Sequence, residues 1–361
     1  MARTALKGKH AIVGIFAFTV ALVIYAINRQ FGNSPARAWP ISVLLLCIAY
    51  IPFALVWVIK DTWRARWIAL EQRFPNLRRG TLDASHESFS IPVENAGSLQ
   101  GNIFWRGNSS QSRKGCVLLL HGYSDTQATI AYLVDFLLRS NYCVVTYDAR
   151  GVGESRRAGK KNDFLSKIWE DFPRVIKFLQ THVITHELPL AVVGSSMGAS
   201  PALIGGTLDP HVRAIIAVSA LSDRNLNLRW TWNPFTPQFW LCARYFLLGI
   251  PYHVPPEINT QTSPMLALSE ARKRRTPEEW ARLVVGRVYL VHCTNDKTVS
   301  VNHFHTNMEA LAIPPEQAIL LAKGGHMYFR AELFLGSMIL RILDTNLAQS
   351  GKSELCNLIR S

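Results

Sequence analysis

Two long apolar runs open the chain. Residues 11–27 and 41–59 contain no charged residue, and each run is close to the ~20 residues with which a helix crosses a bilayer. Tryptophans lie at or just beyond the ends of the second run, where indoles favour the headgroup region of a membrane. The pattern predicts two transmembrane helices, or one helical hairpin, over residues 1–60; a pair of buried core helices is the alternative.

A different pattern begins near Glu87, where short apolar runs rich in β-branched residues alternate with amphipathic stretches of helical length. Ser88–Val93 and Gln100–Arg106 indicate an antiparallel start. The later runs are almost uninterruptedly apolar, as strands buried on both faces of a parallel sheet require. They are Cys116–Leu120, Tyr142–Tyr147, Leu188–Gly194, Ala214–Ser219, Val288–Cys293 and Ala318–Ala322. Residues 87–347 are therefore predicted to form a doubly wound, mostly parallel α/β sheet.

One stretch, residues 222–285, breaks this rhythm and is predicted to be a helical lid inserted over the sheet. Eight of its aromatic residues fall within 23 positions, which suits an apolar cover over an acyl pocket. They are Trp230, Trp232, Phe235, Phe239, Trp240, Tyr245, Phe246 and Tyr252. Trp240 and Phe246 are the candidate substrate-binding residues; packing within the lid itself is the alternative. Residues 61–86 are assigned as a basic juxtamembrane linker and residues 348–361 as a C-terminal tail.

The positive charge is concentrated near the apolar runs. The chain has a formal net charge of +14, and residues 1–79 hold eleven lysines and arginines against two acidic residues. This distribution argues against a nucleic-acid-binding stripe on the folded domain. Two spans place both of their ends on one side, and the more basic side is usually cytoplasmic. We therefore expect an integral membrane protein whose remaining chain is cytoplasmic, although a sequon at Asn108 is compatible with the opposite orientation.

The cysteines indicate neither a disulfide framework nor a metal site. Six are present, without a C-x-x-C pair or zinc-ligand spacing. Cys116, Cys143 and Cys293 lie within predicted core strands, so free buried thiols in a reducing compartment are expected.

A nucleophile is predicted where one buried strand ends. Gly194-Ser195-Ser196-Met197-Gly198 follows a strand and opens a helix, which is the context that a G-x-S-x-G nucleophile elbow requires. The glycines permit a tight turn that raises the Ser196 hydroxyl above the sheet. Leu120-His121-Gly122-Tyr123 ends another strand and supplies the second oxyanion donor in such a fold. The candidate donors are the backbone N–H groups of Tyr123 and Met197, whereas His121 is expected to order the turn.

An acid and a base follow in the chain order Ser, Asp, His. Asp296 lies just beyond the strand Val288–Cys293, and His326 follows the last strand in a glycine-flanked loop. Asp223 also follows a strand, but one strand earlier than the usual acid position. Ser196, Asp296 and His326 are therefore the predicted catalytic residues.

With these motifs in place, residues 87–347 resemble an α/β-hydrolase of the kind that includes monoacylglycerol lipases, lysophospholipases and serine aminopeptidase-type hydrolases. With the two apolar runs, the chain also resembles membrane-anchored abhydrolase-domain lipases. The motifs that carry the resemblance are LLLHGY at 118–123, YDARGVGES at 147–155, GSSMG at 194–198, the Asp296 loop and GGH at 324–326.

The resemblance implies a membrane-anchored serine hydrolase that acts on lipid or acyl esters, or on thioesters, through an acyl-enzyme. It implies no metal and no organic cofactor. Two alternatives remain, namely a serine peptidase on the same fold and a non-enzymatic membrane scaffold. The lid's acidic residues are outnumbered by basic ones, which disfavours a peptidase that must hold a substrate amino terminus.

Overall fold

A computed structural model of the chain describes residues 84–94, 97–107, 113–123, 125–159, 163–227, 254–326, 328 and 331–347. The two predicted membrane spans, the C-terminal tail and nearly all of the juxtamembrane linker lie outside the described residues. So do the eight lid aromatics, including Trp240 and Phe246. Among the residues that are described, no helix combines the length and apolar character needed to span a bilayer.

The core of the domain is a single eight-stranded sheet, in the order β1-β2-β4-β3-β5-β6-β7-β8. Its strands are β1 Ser85–Pro92, β2 Ser98–Trp105, β3 Gly115–Leu120, β4 Tyr142–Tyr147, β5 Leu190–Ser195, β6 Val212–Val218, β7 Val288–Cys293 and β8 Ala318–Leu321. The first two strands pair antiparallel, β2 pairs antiparallel with β4, and all later pairs are parallel. The predicted mostly parallel sheet with an antiparallel start is confirmed.

Helices cover both faces of the sheet. They are α1 Ala131–Arg139, α2 Asp163–Thr181, α3 Ala199–Leu208, α4 Arg224–Asn227, α5 Pro256–Thr262, α6 Pro264–Lys273, α7 Pro277–Val284, α8 Val301–Leu311 and α9 Glu332–Leu347. Every residue of β3 and β4 is buried, because alternate side chains enter the two opposite cores. Leu118 packs in the same core as α2 and α3, while Leu119 packs in the core of α1 and α9. This two-sided burial explains the uninterrupted apolar runs in the sequence.

The predicted free cysteines are present in three of these strands. Cys116 in β3, Cys143 in β4 and Cys293 in β7 are buried and unbridged. Cys116 and Cys143 face each other in register across the β3–β4 pair.

Residues 254–285 form the second half of the predicted lid, and their helices belong to the helical layer of the domain. Leu268 of α6, with Trp280 and Val284 of α7, is buried in the same apolar core as the sheet. Trp280 also donates its indole N–H to the carbonyl of Leu311, at 2.7 Å. A capping box between Thr276 and Glu279 starts α7. Residues 254–285 are therefore part of the domain's packing. The cover over the strand ends stays a prediction, because residues 228–253 lie outside the described residues.

Candidate active site

Ser196 occupies a strained turn between β5 and α3. Its φ is +54°, a left-handed conformation that is uncommon for a residue with a side chain and is typical of functional turns. The flanking glycines permit the turn. A Cβ at Gly198 would lie 2.5 Å from the carbonyl oxygen of His121, and one at Gly194 would lie 2.7 Å from the Cα of Ala199. The G-x-S-x-G spacing therefore reflects close backbone approach on both sides of the serine.

The three predicted catalytic side chains meet at the carboxyl ends of the strands. His326 Nε2 lies 3.0 Å from Ser196 Oγ, and His326 Nδ1 lies 2.8 Å from Asp296 Oδ2. The three residues come from loops after β5, β7 and β8. The structure thus brings together, in one hydrogen-bonded chain, residues separated by up to 130 positions in sequence.

Asp296 is held in one orientation by its own loop. Its Oδ1 accepts hydrogen bonds from the backbone N–H groups of Thr298, at 2.8 Å, and Val299, at 2.9 Å. Burial by itself would raise the pKa of Asp296, but the hydrogen bond and charge of His326, together with the two amides, outweigh it and lower the pKa. Asp296 is therefore a carboxylate, with one oxygen fixed on the backbone and the other directed at His326.

The alternative acid, Asp223, serves another purpose. Its Oδ1 accepts hydrogen bonds from the backbone N–H of Asn225, at 2.8 Å, and from the side-chain amide of Asn259, at 3.2 Å. These contacts join the start of α4 to α5. The structure therefore supports the choice of Asp296 over Asp223 as the partner of the histidine.

The candidate oxyanion residues flank the serine. Met197 follows Ser196 directly. Tyr123 follows Gly122, and a Cβ at Gly122 would lie only 3.2 Å from Ser196 Cβ. The loop after β3 therefore passes against Ser196, and glycine is the residue that allows this approach.

His121 fastens that loop to the one after β4. It is buried, with its Nδ1 2.9 Å from the Gly122 carbonyl and its Nε2 accepting the Ala149 N–H at 3.0 Å. A carbonyl can only accept, so the proton lies on Nδ1. The expected structural role of this histidine is confirmed.

The loop after β4 is organised by buried charge. Asp148 accepts hydrogen bonds from the backbone N–H groups of Gln127 and Glu154, both at 2.7 Å. Arg150 forms a buried ion pair with Asp171 of α2. Both charged residues therefore stabilise the loop.

A family model described as "Alpha/beta hydrolase family" matches residues 117–333, which is more than half of the chain. The chain belongs to the alpha/beta hydrolase family. The match runs from β3 into the start of α9, so it includes every element that carries Ser196, Asp296 or His326.

Curated relatives of this alpha/beta hydrolase include Cutinase 1 of Thermobifida cellulosilytica, which is 28% identical over 166 residues; the alignment covers 44% of this chain and 60% of the cutinase. The thiohydrolase apmlB of Arthrinium phaeospermum is 35% identical over 74 residues, covering 20% of this chain and 24% of that protein. The chain thus spans at most three fifths of the length of these relatives.

Among solved structures, the esterase Pf2001 of Pyrococcus furiosus gives a TM-score of 0.52 at 18% identity, covering 74% of this chain and 95% of that chain. The acylaminoacyl peptidase of Pyrococcus horikoshii gives 0.51 at 13% identity, covering 73% and 42%. Both similarities show a shared fold.

An apolar cluster beside Ser196 could not be predicted from the sequence. Met197, Leu221 and Val299 are buried together with Ala149 and Ile168. Partly buried Tyr123, Val152 and Trp169 pack against them. These eight residues come from six separate segments, so no local sequence pattern could have grouped them.

A buried histidine was also missed. His292 lies in β7, four residues before Asp296, and its Nε2 is 3.7 Å from Asp296 Oδ2. In the sequence, nothing distinguishes it from the other histidines near Asp296. The i, i+4 spacing across the end of a strand is the only sequence signal that could have singled it out.

Proposed function

We propose that the protein is a serine hydrolase that cleaves carboxylic esters through an acyl-enzyme on Ser196. The observation that carries this proposal is the hydrogen-bonded chain Ser196–His326–Asp296 in an alpha/beta hydrolase, with Ser196 on a strained turn. The same arrangement of a serine nucleophile, a histidine base and an acid recurs on unrelated folds that catalyse acyl transfer.

In the first step, Ser196 Oγ attacks the ester carbonyl carbon while His326 Nε2 accepts the hydroxyl proton. Asp296 keeps the proton of the neutral imidazole on Nδ1, which leaves Nε2 free to act as the base. It then stabilises the imidazolium that forms. The negative charge that develops on the carbonyl oxygen is assigned to the backbone N–H groups of Tyr123 and Met197, and each such donor is worth about 3 kcal/mol in the transition state.

The acyl-enzyme forms when the tetrahedral intermediate collapses. His326 gives its proton to the departing alcohol oxygen, and the alcohol leaves. Water then attacks the acyl carbon with His326 as the base, and a second collapse releases the acid and restores the Ser196 hydroxyl.

The substrates that we propose are lipid or acyl esters, with thioesters as a related class. Cutinases and a thiohydrolase among the curated relatives support this choice, as does the apolar cluster next to Ser196. From the aromatic density of the lid, we further propose that Trp240 and Phe246 contact the acyl chain.

A chain-length series of p-nitrophenyl esters tests the substrate class. Each buried methylene contributes about 0.8 kcal/mol, so kcat/KM should rise roughly fourfold per CH₂ until the pocket is full. We expect esters of about eight carbons or more to exceed acetate. Polar substitutions at Trp240 or Phe246 should reduce this preference more than they reduce acetate turnover.

The same series separates the alternatives. A flat profile from acetate to laurate, with faster cleavage of aminoacyl anilides, would favour a serine peptidase. Absence of turnover and of labelling by a fluorophosphonate would favour a non-enzymatic scaffold.

We also propose that the enzyme is anchored in the membrane by residues 11–27 and 41–59, with the hydrolase domain on the cytoplasmic side. The support is the apolar length of the two runs and their basic flanks. Full-length protein should remain in the membrane fraction after an alkaline carbonate wash, whereas a variant that begins near Gly80 should not. Release of the full-length protein by the wash would contradict the anchor, and protease added to sealed vesicles of known orientation tests the side.

A further inference from the structure

Asp296 lies between two imidazoles. His326 approaches its Oδ2 at 2.8 Å from the side of the nucleophile. His292, on β7, places its Nε2 3.7 Å from the same oxygen from behind. The His292 side chain is 1% exposed and the Asp296 side chain is fully buried, so the second imidazole is in the interior of the domain.

The protonation state of His292 follows from its contacts. Its Nε2 lies 3.0 Å from the backbone carbonyl oxygen of Val299. A carbonyl only accepts hydrogen bonds, so Nε2 carries a hydrogen. Burial lowers the pKa of His292 despite the opposing effect of Asp296. The ring is therefore neutral, with its single N–H on the side of Val299 and Asp296.

Val299 connects this histidine to the catalytic acid. Its carbonyl accepts from His292, while its N–H donates to Asp296 Oδ1 at 2.9 Å. Val299 is itself 1% exposed. The Phe304 ring lies beside the His292 ring, with centroids 6.0 Å apart and an interplanar angle of 51°. His292 therefore fixes the backbone of Val299, which in turn fixes the Asp296 carboxylate.

We propose that His292 is a positioning residue, which directs the Asp296 carboxylate at His326 by fixing Val299 and by pointing its N–H dipole towards Oδ2. Without this donor, the loop that carries Asp296 keeps its backbone hydrogen bond to Cys293 but loses the side-chain contact that fixes Val299 to β7, and the Asp296–His326 hydrogen bond is less well aligned. The inference rests on the proposed function, because its effect on catalysis is transmitted through Asp296.

The test compares His292→Leu with His292→Gln in the full-length protein. Leucine removes the donor, whereas the glutamine amide can place an N–H near the position of Nε2. A hydrogen bond to a charged network affects kcat by about 10- to 100-fold. We expect His292→Leu to lose kcat on p-nitrophenyl butyrate by that factor with KM unchanged within about twofold. His292→Gln should retain kcat within about threefold.

His303→Leu is the matched control. His303 is also buried and accepts the backbone N–H of Ser222 through Nδ1. Its replacement should lower the unfolding temperature but leave kcat unchanged. Wild-type kcat in His292→Leu would overturn the inference, and so would equal losses in both His292 variants that track their unfolding temperatures.

Failure of the proposed function is a separate outcome. If wild-type protein fails to react with a fluorophosphonate, the serine-hydrolase proposal is wrong, and the role of His292 in catalysis falls with it. If wild-type protein reacts and His292→Leu reacts at the same rate, only the positioning role is refuted.

Discussion

Replacing Asp296 by asparagine isolates one function of the acid, because the two side chains have nearly the same shape. In the wild type, Oδ1 accepts two backbone N–H groups, from Thr298 and Val299. The asparagine oxygen must keep that position, since an NH₂ group there would face two donors. Its NH₂ group must then face His326 Nδ1, which can only accept from it. The proton of His326 therefore moves to Nε2, and the ring can no longer take a proton from Ser196.

The size of the effect follows from two losses. In the active tautomer, the Nδ1–H of His326 would face the NH₂ group of the asparagine. Two opposed donors in a buried site cost about 1–3 kcal/mol. The lost charged hydrogen bond to the imidazolium adds about 1.5–3 kcal/mol. Together these amount to about 2.5–6 kcal/mol, or roughly 10²- to 10⁴-fold in kcat, in the range known for triad acids.

The assay is the initial rate of p-nitrophenyl butyrate hydrolysis, with Asp223→Asn as the matched control. Asp223 binds Asn225 and Asn259, so we expect its variant to keep kcat within about threefold. Equal losses in both variants, or loss in Asp223→Asn alone, would refute the assignment of the acid.

Three further predictions concern the surroundings of the site. Gly122→Ala would place a Cβ 2.9 Å from Asp125 Oδ2 and 3.2 Å from Ser196 Cβ. Because this displaces the loop after β3, which carries the proposed oxyanion donor Tyr123, kcat should fall by about 10²- to 10³-fold; normal turnover would contradict the proposed role of this loop. Burial lowers the pKa of His303 to about 4, below the ~6.5 of a histidine in an unfolded chain. As the pH falls, the unfolded chain therefore binds this proton first. The domain keeps its full stability above pH ~6.5 and loses stability as the pH falls towards about 4. The free energy of unfolding should decrease by about 3 kcal/mol over this window, and denaturant titrations of His303→Leu should lack this contribution. Trp280→Ala should cost about 3–5 kcal/mol in the same titrations, whereas a small cost would place α7 outside the core.

The strands and the hydrogen-bonded arrangement of Ser196, His326 and Asp296 could be predicted because each part has a local sequence pattern. β4 and β7 have the predicted bounds, since a strand buried on both faces must be continuously apolar. Ser196 and Asp296 follow such buried strands, whereas His326 follows β8, an apolar but partly exposed strand at the edge of the sheet. Parallel strands direct their carboxyl ends to one edge, so chain order alone was enough to bring the three residues together.

The remaining features depend on contacts between distant segments. The aromatic density of residues 230–252 predicts a cover, but it says nothing about the next helices, where Leu268 and Trp280 enter the main core. His292 lies within an apolar strand, and its importance arises only when the following turn brings Asp296 and Val299 back against it. Neither arrangement leaves a periodic pattern in the sequence.

The most direct test of the central claim is covalent labelling of the full-length protein by a fluorophosphonate, followed by mass spectrometry of the labelled peptide. We expect one adduct, on Ser196, and its complete loss in Ser196→Ala. An adduct on another residue, or undiminished labelling of Ser196→Ala, would contradict the assignment of Ser196 as the nucleophile.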